Sequence, residues 1–308
     1  MRFGVHLPLI DFTGEGWAPG RLKAFAEAAR DLGFDSLSSN DHLVFQKPWL
    51  DGITALASVI DHSGDMKLCT TIAVPAVRHP NVLAKHAVAI DLLSGGRLVL
   101  GLGPGSSARD YALVGRDFEQ RWKLLDSAVK VLRSHLKQAA PAHESDIFST
   151  GELMAPGPSH DIPIWIGSWG SEAGLRRVAR LGDGWLASAY NTTAEKLRSD
   201  RETLDAALAT QDKDPASFPT CLATMWTYVT DEKAEHDEKL AMVATMLNRP
   251  ADALAPQILI GPAEECATKL RAYQDAGASE VFLWPLASER EQLERLMTTV
   301  APAVTLDP

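Results

Sequence analysis

Short apolar runs alternate with longer segments of helical periodicity along the whole sequence. The runs that predict strands are residues 3–7, 36–39, 68–74, 97–102, 163–166, 184–186, 222–229 and 281–285. The clearest helical pattern covers residues 118–137, where apolar residues recur at helical spacing with charged residues between them. Eight strands separated by helices, with no linker-like break, favour a single (β/α)8 TIM barrel over residues 1–308. The alternative, a doubly wound open sheet, would need fewer strands or a clear second domain.

Two segments interrupt this alternation. Residues 144–161, before the fifth predicted strand, are expected to form a short insertion with a small hairpin around Gly151. Residues 231–257 form a second insertion between the seventh and eighth predicted strands. Because the chemistry of a TIM barrel takes place at the carboxyl ends of its strands, the residues that follow each strand are the candidates for function.

Charge and composition exclude several classes of protein. The chain has 40 acidic and 30 basic residues, a net charge of −10, and no cluster of Lys and Arg that would attract nucleic acid or an anionic membrane. No apolar stretch reaches the roughly 18 residues of a membrane span, and the start of the sequence lacks a signal-peptide pattern, so a cytoplasmic location is expected. Cys69, Cys221 and Cys266 are far apart and are expected to be buried, reduced thiols.

The motifs that are missing narrow the chemistry. The sequence has no HExxH motif, no EF-hand loop and no carboxylate cluster, so no catalytic metal is expected. Residues 167–171 miss the GxSxG motif of serine hydrolases by one position, and no lysine stands at a predicted strand end to form a Schiff base. Residues 103–108 read Gly-Pro-Gly-Ser-Ser-Ala and match the dinucleotide pattern GxGxxG/A, but Pro104 would stiffen the loop, so we discount a Rossmann-type site.

Polar residues follow the second predicted strand directly. They are Asn40, Asp41 and His42. An imidazole at this position can accept or donate a proton near neutral pH, and a neighbouring carboxylate can fix its tautomer. The structural alternative is a histidine that caps the next turn, and position alone does not decide between the two.

The segment after the fifth predicted strand indicates an anion site. Residues 167–171 read Gly-Ser-Trp-Gly-Ser and lead into a helix that begins near Glu172. Backbone N–H groups at a helix N-terminus bind anions, and Arg176 and Arg177 add positive charge one turn later. The alternative is an ordinary helix cap by Ser171. Tryptophans that would suit the walls of a site for a flat ligand lie at Trp17, Trp49, Trp169 and Trp226.

Several motifs together resemble the luciferase-like family of flavin and deazaflavin oxidoreductases. They are Gly-Phe-Asp-Ser-Leu at 33–37, Asp-His-Leu at 41–43, Arg-His-Pro at 78–80, Leu-Leu-Ser-Gly-Gly-Arg-Leu at 92–98, Gly-Leu-Gly-Pro-Gly at 101–105 and Leu-Gly-Asp-Gly-Trp at 181–185. The resemblance covers nearly the whole chain. It implies a (β/α)8 barrel that holds a flavin or deazaflavin ring at its mouth, acts on a small molecule and usually forms a homodimer.

The resemblance implies one of two cofactors. In the branch that uses coenzyme F-420 (F420, 8-hydroxy-5-deazaflavin), the third strand ends in a non-prolyl cis peptide, which alignment places at Thr71–Ile72. Asp41 and His42 match the Asp-His pair of that branch. Its phosphates are held by backbone amides that match Trp169, Gly170 and Ser171, and further cofactor contacts are expected at Val74, Gly103, Arg109 and Ser168.

The alternative cofactor is FMN. In the luciferases proper, which use reduced FMN and oxygen, an arginine of the glycine run contacts the phosphate. Here the matching residue is Pro104, which favours F420, although Arg109 lies close enough in sequence to keep FMN open. Some sugar-phosphate dehydrogenases of the F420 branch have a catalytic Glu where this chain has Ser106, so their substrate is not carried over.

The resemblance to the F420 branch implies hydride transfer, because a deazaflavin has carbon in place of the flavin N5 and activates oxygen poorly. We expect His42 to supply or remove a proton, or to stabilise charge on the ring, with Asp41 orienting it. A modestly apolar carbonyl or enone is expected in a pocket lined by Trp49, Trp226 and residues 11–17. The alternatives are an FMN-dependent monooxygenase and a non-catalytic deazaflavin-binding protein.

Overall fold

Parallel strands alternate with helices along residues 1–12, 14, 16–18 and 20–305, the part of the chain that the computed structural model describes. The strands are β1 (Arg2–His6), β2 (Ser36–Ser39), β3 (Lys67–Thr70), β4 (Leu98–Leu102), β5 (Ile164–Ser168), β6 (Gly184–Ser188), β7 (Thr220–Val229), β8 (Leu259–Gly261) and β9 (Glu280–Pro285). The helices are α1 (Arg21–Asp31), α2 (Gly52–Ser58), α3 (Pro75–Arg78), α4 (Pro80–Ser94), α5 (Ala108–Leu113), α6 (Arg121–Leu136), α7 (Glu172–Leu181), α8 (Ala194–Ala209), α9 (Lys233–Leu247), α10 (Ala251–Leu254), α11 (Ala263–Asp275), α12 (Glu289–Arg295) and α13 (Ala301–Thr305).

Eight of these strands close into a barrel. Neighbours pair in parallel from β1 to β7, then β7 pairs with β9, and β9 returns to β1. The short strand β8 pairs with residues 227–229 at the end of β7. The predicted (β/α)8 barrel is confirmed, and β8 is a ninth strand that the apolar runs did not predict.

The strand β7 changes register along its length. Leu222 pairs with Val281 and Met225 pairs with Leu283, so β7 carries one extra residue between these two pairs. The extra residue forms a β-bulge, in which Thr224 has a φ of 60°. A bulge reverses which side of the sheet the following side chains point to, and Trp226 is one of the side chains that follow this bulge.

Two of the clusters of buried apolar residues involve the strands of the barrel. A larger cluster packs between the strands and the helices. A second cluster consists of Cys69, Val99, Trp165, Leu186, Cys221, Ala223 and Phe282. Its packing leaves no room at Gly4, where a Cβ atom would lie 2.6 Å from the Phe282 ring. All three cysteines are buried free thiols, as predicted, and burial raises the pKa of each.

The insertion before β5 differs from its prediction. Residues 137–163 contain no helix or strand, so the hairpin expected around Gly151 is absent from this described segment. Hydrogen bonds hold the segment instead: Ser145 Oγ donates to Phe148 O at 3.0 Å, and Gln138 N donates to Asp161 Oδ1 at 2.8 Å. The second insertion contains the helices α9 and α10.

The described residues contain neither a helix suited to span a membrane nor a cluster of metal-binding side chains. None of their helices is both long and apolar enough to cross a membrane. Within the same part of the chain, no three His, Cys, Asp or Glu residues come together in a way that could hold a metal ion.

Candidate active site

A cavity of about 400 Å³ lies at the carboxyl ends of β2 to β7. The predicted site residues that line it are Asp41, His42, Thr71, Ile72, Val74, Gly103, Ser168, Trp169 and Ser171. Gly170, Arg109, Trp49 and Trp226 are not among its lining residues. Of the predicted pocket segment 11–17, residues 13 and 15 lie outside the described residues, while Phe12 and Gly16 line a separate cavity of about 280 Å³.

Ile72 and two glycines form one wall of the larger cavity. The Thr71–Ile72 peptide is cis, as the family resemblance implied. A Cβ atom on Gly103 would lie 2.4 Å from Ile72 Cδ1, and one on Gly167 would lie 3.2 Å from Ile72 Cγ2. The two glycines therefore make room for the Ile72 side chain, which forms the apolar face of this wall. We call this wall the glycine slot.

His42 lines the cavity and is bound to the buried Asp110. The imidazole Nδ1 lies 2.8 Å from Asp110 Oδ2, and the N–H of Val44 donates to Asp110 Oδ1 at 2.9 Å. Burial raises the pKa of Asp110, but the hydrogen bonds from His42 and Val44 outweigh it and bring this pKa below its ordinary value. The structure thus corrects the expectation that Asp41 orients His42, because Asp110 is the partner.

Asp41 is bound to Arg78 instead. The Arg78 guanidinium donates to both oxygens of Asp41, at 2.6 and 3.0 Å, and also contacts Asp51. The N–H of Val74 donates to Asp41 Oδ2 at 3.2 Å. Burial lowers the pKa of Arg78, but the hydrogen bonds to Asp41 and Asp51 raise it above its usual value. Asp41 therefore connects the loop after β2 to the start of α3.

The start of α7 supplies hydrogen-bond donors to the cavity. Ser168 and Ser171 line the cavity there, and Ser171 Oγ accepts from Gly174 N at 3.2 Å, which caps the helix. The first turn of a helix leaves backbone N–H groups without acceptors inside the helix, and these groups favour an anion. Trp169, which is 60% exposed, stands at the rim.

The positive charge near this helix differs from its prediction. Arg176 contacts Glu172, and Arg177 Nε lies 2.6 Å from Asp126 Oδ1, so acidic partners on the protein already pair with both arginines. The arginine on the cavity wall is Arg121, whose guanidinium lies 4.2 Å from the centre of the Phe118 ring. Arg121 was not predicted because it lies on α6, and the rule that selects residues after strands does not reach it.

Trp49 and Trp226 belong to an aromatic cluster beside the cavity. Trp226 is 3% exposed and stacks on Trp284 at 4.4 Å between ring centres. Trp49 meets Trp284 at 5.6 Å and His42 at 4.7 Å, both edge to face. The structure corrects the expectation that these two tryptophans line the substrate pocket: Trp226 is a core residue, and Trp49 packs against His42.

Further lining residues were not singled out from the sequence. Thr224, in the bulge of β7, and Tyr190, after β6, face the cavity. Tyr111 lines it as well and donates from its hydroxyl to Pro104 O at 2.6 Å, which fixes the glycine run. No strand-end motif marks Tyr111 or Asp110, because both lie on α5.

Comparison with known proteins identifies the family of this chain. The sequence matches the family model of the luciferase-like monooxygenases over residues 1–255. The chain belongs to this family, because the match covers far more than half of its 308 residues. It is similar to the F420-dependent glucose-6-phosphate dehydrogenase of Gordonia bronchialis, with 24% identity over 324 aligned residues that cover 94% of this chain and 95% of the relative.

Solved structures share the fold over almost the whole chain. An F420-dependent secondary alcohol dehydrogenase in complex with an F420-acetone adduct superposes with a TM-score of 0.84 and 17% identity, covering 98% of each chain. Monooxygenase RslO1 from Streptomyces bottropensis superposes with a TM-score of 0.82 and 18% identity, covering 98% of this chain and 99% of that one. At these identities the likeness shows the fold alone.

Proposed function

We propose that this chain is an F420-dependent oxidoreductase that moves a hydride to or from a small organic substrate. The observation that carries the proposal is the glycine slot, which shares a cavity with His42. A planar cofactor needs an apolar wall to lie against, which Ile72 supplies beside the two glycines, and redox chemistry on a carbonyl needs a proton carrier nearby. The Gordonia relative and the secondary alcohol dehydrogenase are both F420-dependent by name, which supports the same cofactor here.

The residues around the glycine slot fit a deazaflavin. Thr71 lines the cavity, and its hydroxyl is buried without a hydrogen-bond partner. An unsatisfied buried polar group costs about 1–3 kcal/mol, so a polar edge of a bound ring would stabilise this site. At the start of α7, the backbone amides of Trp169 and Ser171 suit the phosphate, while the amide of Gly170 donates to Ser168 Oγ at 3.3 Å.

The proton chemistry rests on His42. A bound deazaflavin supplies a carbon atom that accepts or releases a hydride. When an alcohol is oxidised, its carbon loses the hydride and its hydroxyl loses a proton, which His42 Nε2 accepts. When a carbonyl is reduced, His42 returns that proton to the oxygen. Asp110, bound to the other ring nitrogen, keeps the imidazole in place.

The charges around the cavity favour an uncharged substrate. The acidic and basic side chains of its wall have protein partners: Asp41 with Arg78, Asp110 with His42, and Arg121 with the exposed Glu119 at 3.7 Å. An anionic substrate would lose hydration without gaining an unpaired cation among the described lining residues. We therefore propose a neutral carbonyl, enone or alcohol, and the Ser106 on the cavity wall agrees with a substrate other than a sugar phosphate.

A turnover panel tests this function. F420 should lose its absorbance with neutral secondary alcohols, or reduced F420 should regain it with ketones or enones, while glucose 6-phosphate should give no turnover. Turnover with glucose 6-phosphate alone would contradict the neutral substrate class. Oxygen consumption with reduced FMN, together with no F420 turnover, would contradict the cofactor.

An FMN-dependent monooxygenase is the second candidate. The observation in its favour is the shared fold with RslO1, which is named as a monooxygenase. Pro104 in the glycine run still favours F420. A third candidate, a protein that only binds a deazaflavin, would show F420 binding and no turnover with any substrate. The His42–Asp110 pair favours an enzyme, because a binding protein needs no proton carrier.

We also propose that the chain forms a homodimer and acts in the cytoplasm. The outer face of α4 carries Val82, Leu92 and Leu93, which are 49%, 40% and 73% exposed. Exposed apolar side chains on one helix face are typical of an interface. Light scattering should give twice the chain mass of 33.3 kDa, and Leu93→Glu should shift the protein towards the monomer. A monomeric wild-type protein would contradict the dimer.

A further inference from the structure

We propose that Asp110 is the positioning residue of the proton carrier: it holds His42 in the tautomer with hydrogen on Nδ1 and so leaves Nε2 as the acceptor towards the cavity. This inference deepens the proposed function and rests on it for the role of His42. Asp110 lies on the cavity wall, but the role proposed for it is exerted through the imidazole of His42.

The two oxygens of Asp110 have separate tasks. Oδ2 lies 2.8 Å from His42 Nδ1. Oδ1 accepts from the backbone N–H groups of Leu43 and Val44, at 3.2 and 2.9 Å. One carboxylate therefore binds the imidazole and, independently, holds the backbone that follows it.

Asp110 is itself firmly placed. It is 4% exposed and lies in the first turn of α5, where its N–H donates to Ser107 Oγ at 3.2 Å. Ser107 is the second residue after the glycine run, so α5 carries Asp110 at a fixed distance from the glycine slot. On the other side, the edge-to-face contact with Trp49 restricts rotation of the His42 ring.

The ionisation of Asp110 decides the tautomer. Its hydrogen bonds favour the carboxylate, and a carboxylate only accepts hydrogen bonds. His42 Nδ1 must then carry the hydrogen, and a neutral imidazole has its lone pair on the other nitrogen. Asp41, the nearer carboxylate in sequence, cannot replace Asp110, because its oxygens are bound by Arg78 and by Val74 N.

The variant Asp110→Asn separates the two tasks. An amide keeps one carbonyl oxygen for the N–H groups of Leu43 and Val44, so the loop should stay in place. It offers an NH2 group to His42 Nδ1, which can then only accept, so the hydrogen should move to Nε2. Nitrogen-15 NMR of histidine-labelled protein without cofactor reads the tautomer directly, with a His42→Gln sample to assign the signals.

A surface Asp–His pair supplies the matched control. Asp237 Oδ1 lies 3.0 Å from His236 Nδ1 on α9, away from the residues that line the cavity. Asp237→Asn should leave the His42 signals and the turnover unchanged. Asp110→Asn should invert the His42 tautomer and lower turnover by about 100-fold or more, with F420 affinity changed by less than about threefold.

The outcomes separate the two proposals. A His42 that keeps hydrogen on Nδ1 in Asp110→Asn would overturn the inference, and so would turnover within about threefold of wild type. If the wild-type protein neither binds nor turns over F420, the proposed function fails, and the tautomer measured without cofactor still decides the role of Asp110.

Discussion

The Ile72 side chain occupies the space that a side chain at Gly103 would need: a Cβ atom on Gly103 would be 2.4 Å from Ile72 Cδ1. Gly103→Ala should therefore push the Ile72 side chain from its place and weaken F420 binding by about tenfold or more. Gly157→Ala is the matched control, because nothing lies within 4 Å of its added Cβ. Fluorescence titration measures both affinities.

A second substitution tests the cause of that loss. Ile72→Ala removes the atom that the new Cβ would meet, so the double variant Gly103→Ala, Ile72→Ala should recover part of the lost affinity. Losses that simply add, or a Gly103→Ala protein that binds like wild type, would show that the glycine slot does not hold the ring.

His42→Ala tests the proton carrier. The variant should lower turnover by about 100-fold or more and leave the F420 dissociation constant nearly unchanged, because proton transfer is lost while the slot remains. His236→Ala, on α9 and away from the residues that line the cavity, should behave like wild type. Steady-state kinetics and titration give the two quantities, and unchanged turnover in His42→Ala would remove His42 from the mechanism.

Arg78→Met tests the role of Asp41 as a connector between loops. The substitution leaves the buried Asp41 carboxylate without its ionic partner, and breaking such a pair costs about 3–5 kcal/mol of unfolding free energy. Arg290→Met removes an exposed partner of Glu294 and should change stability by less than about 1 kcal/mol. Urea unfolding compares the variants, and equal losses would refute a special role for Arg78.

His6 should make stability depend on pH. Burial lowers the pKa of His6 to about 3, despite the hydrogen bond to Leu7 O. Below its ordinary pKa of about 6.5, the unfolded chain binds a proton at His6 that the folded chain does not. The stabilisation is therefore complete above about pH 6.5 and is lost as pH falls, at up to about 1.4 kcal/mol per pH unit.

Urea unfolding at about pH 7, 6 and 5 checks this slope. Burial also lowers the pKa of His79 and of His135, and both contribute in the same direction. His6→Gln should make the unfolding free energy less dependent on pH, even if the substitution destabilises the protein at every pH. His86→Gln, on the exposed face of α4, should leave the pH dependence of the unfolding free energy unchanged. Parallel curves for wild type and His6→Gln would contradict the contribution of His6.

The fold and most of the cavity wall could be predicted from the sequence. Alternating strands and helices predict the barrel, and the barrel places the residues after each strand around one opening. Asp41 and His42, Thr71 and Ile72, and Ser168 reach the cavity for this reason. The cis peptide at Thr71–Ile72 was expected from the family resemblance and not from local residue preferences.

The contacts between side chains could not be predicted in the same way. Asp110 binds His42 across 68 positions of sequence and lies on a helix, so no strand-end rule selects it over the adjacent Asp41. Trp226 follows the bulge at Thr224, and the apolar run 222–229 contains no sign of the extra residue that changes the facing of its side chains.

Cofactor choice is tested most directly by titrating the purified protein with oxidised F420 and, in parallel, with FMN, while following fluorescence. We expect saturable binding of F420 in the micromolar range and no binding of FMN, since the glycine slot and the start of α7 fit a deazaflavin and Pro104 replaces the arginine of the FMN enzymes. Binding of FMN alone would contradict the F420 proposal and identify the chain as an oxygen-using monooxygenase.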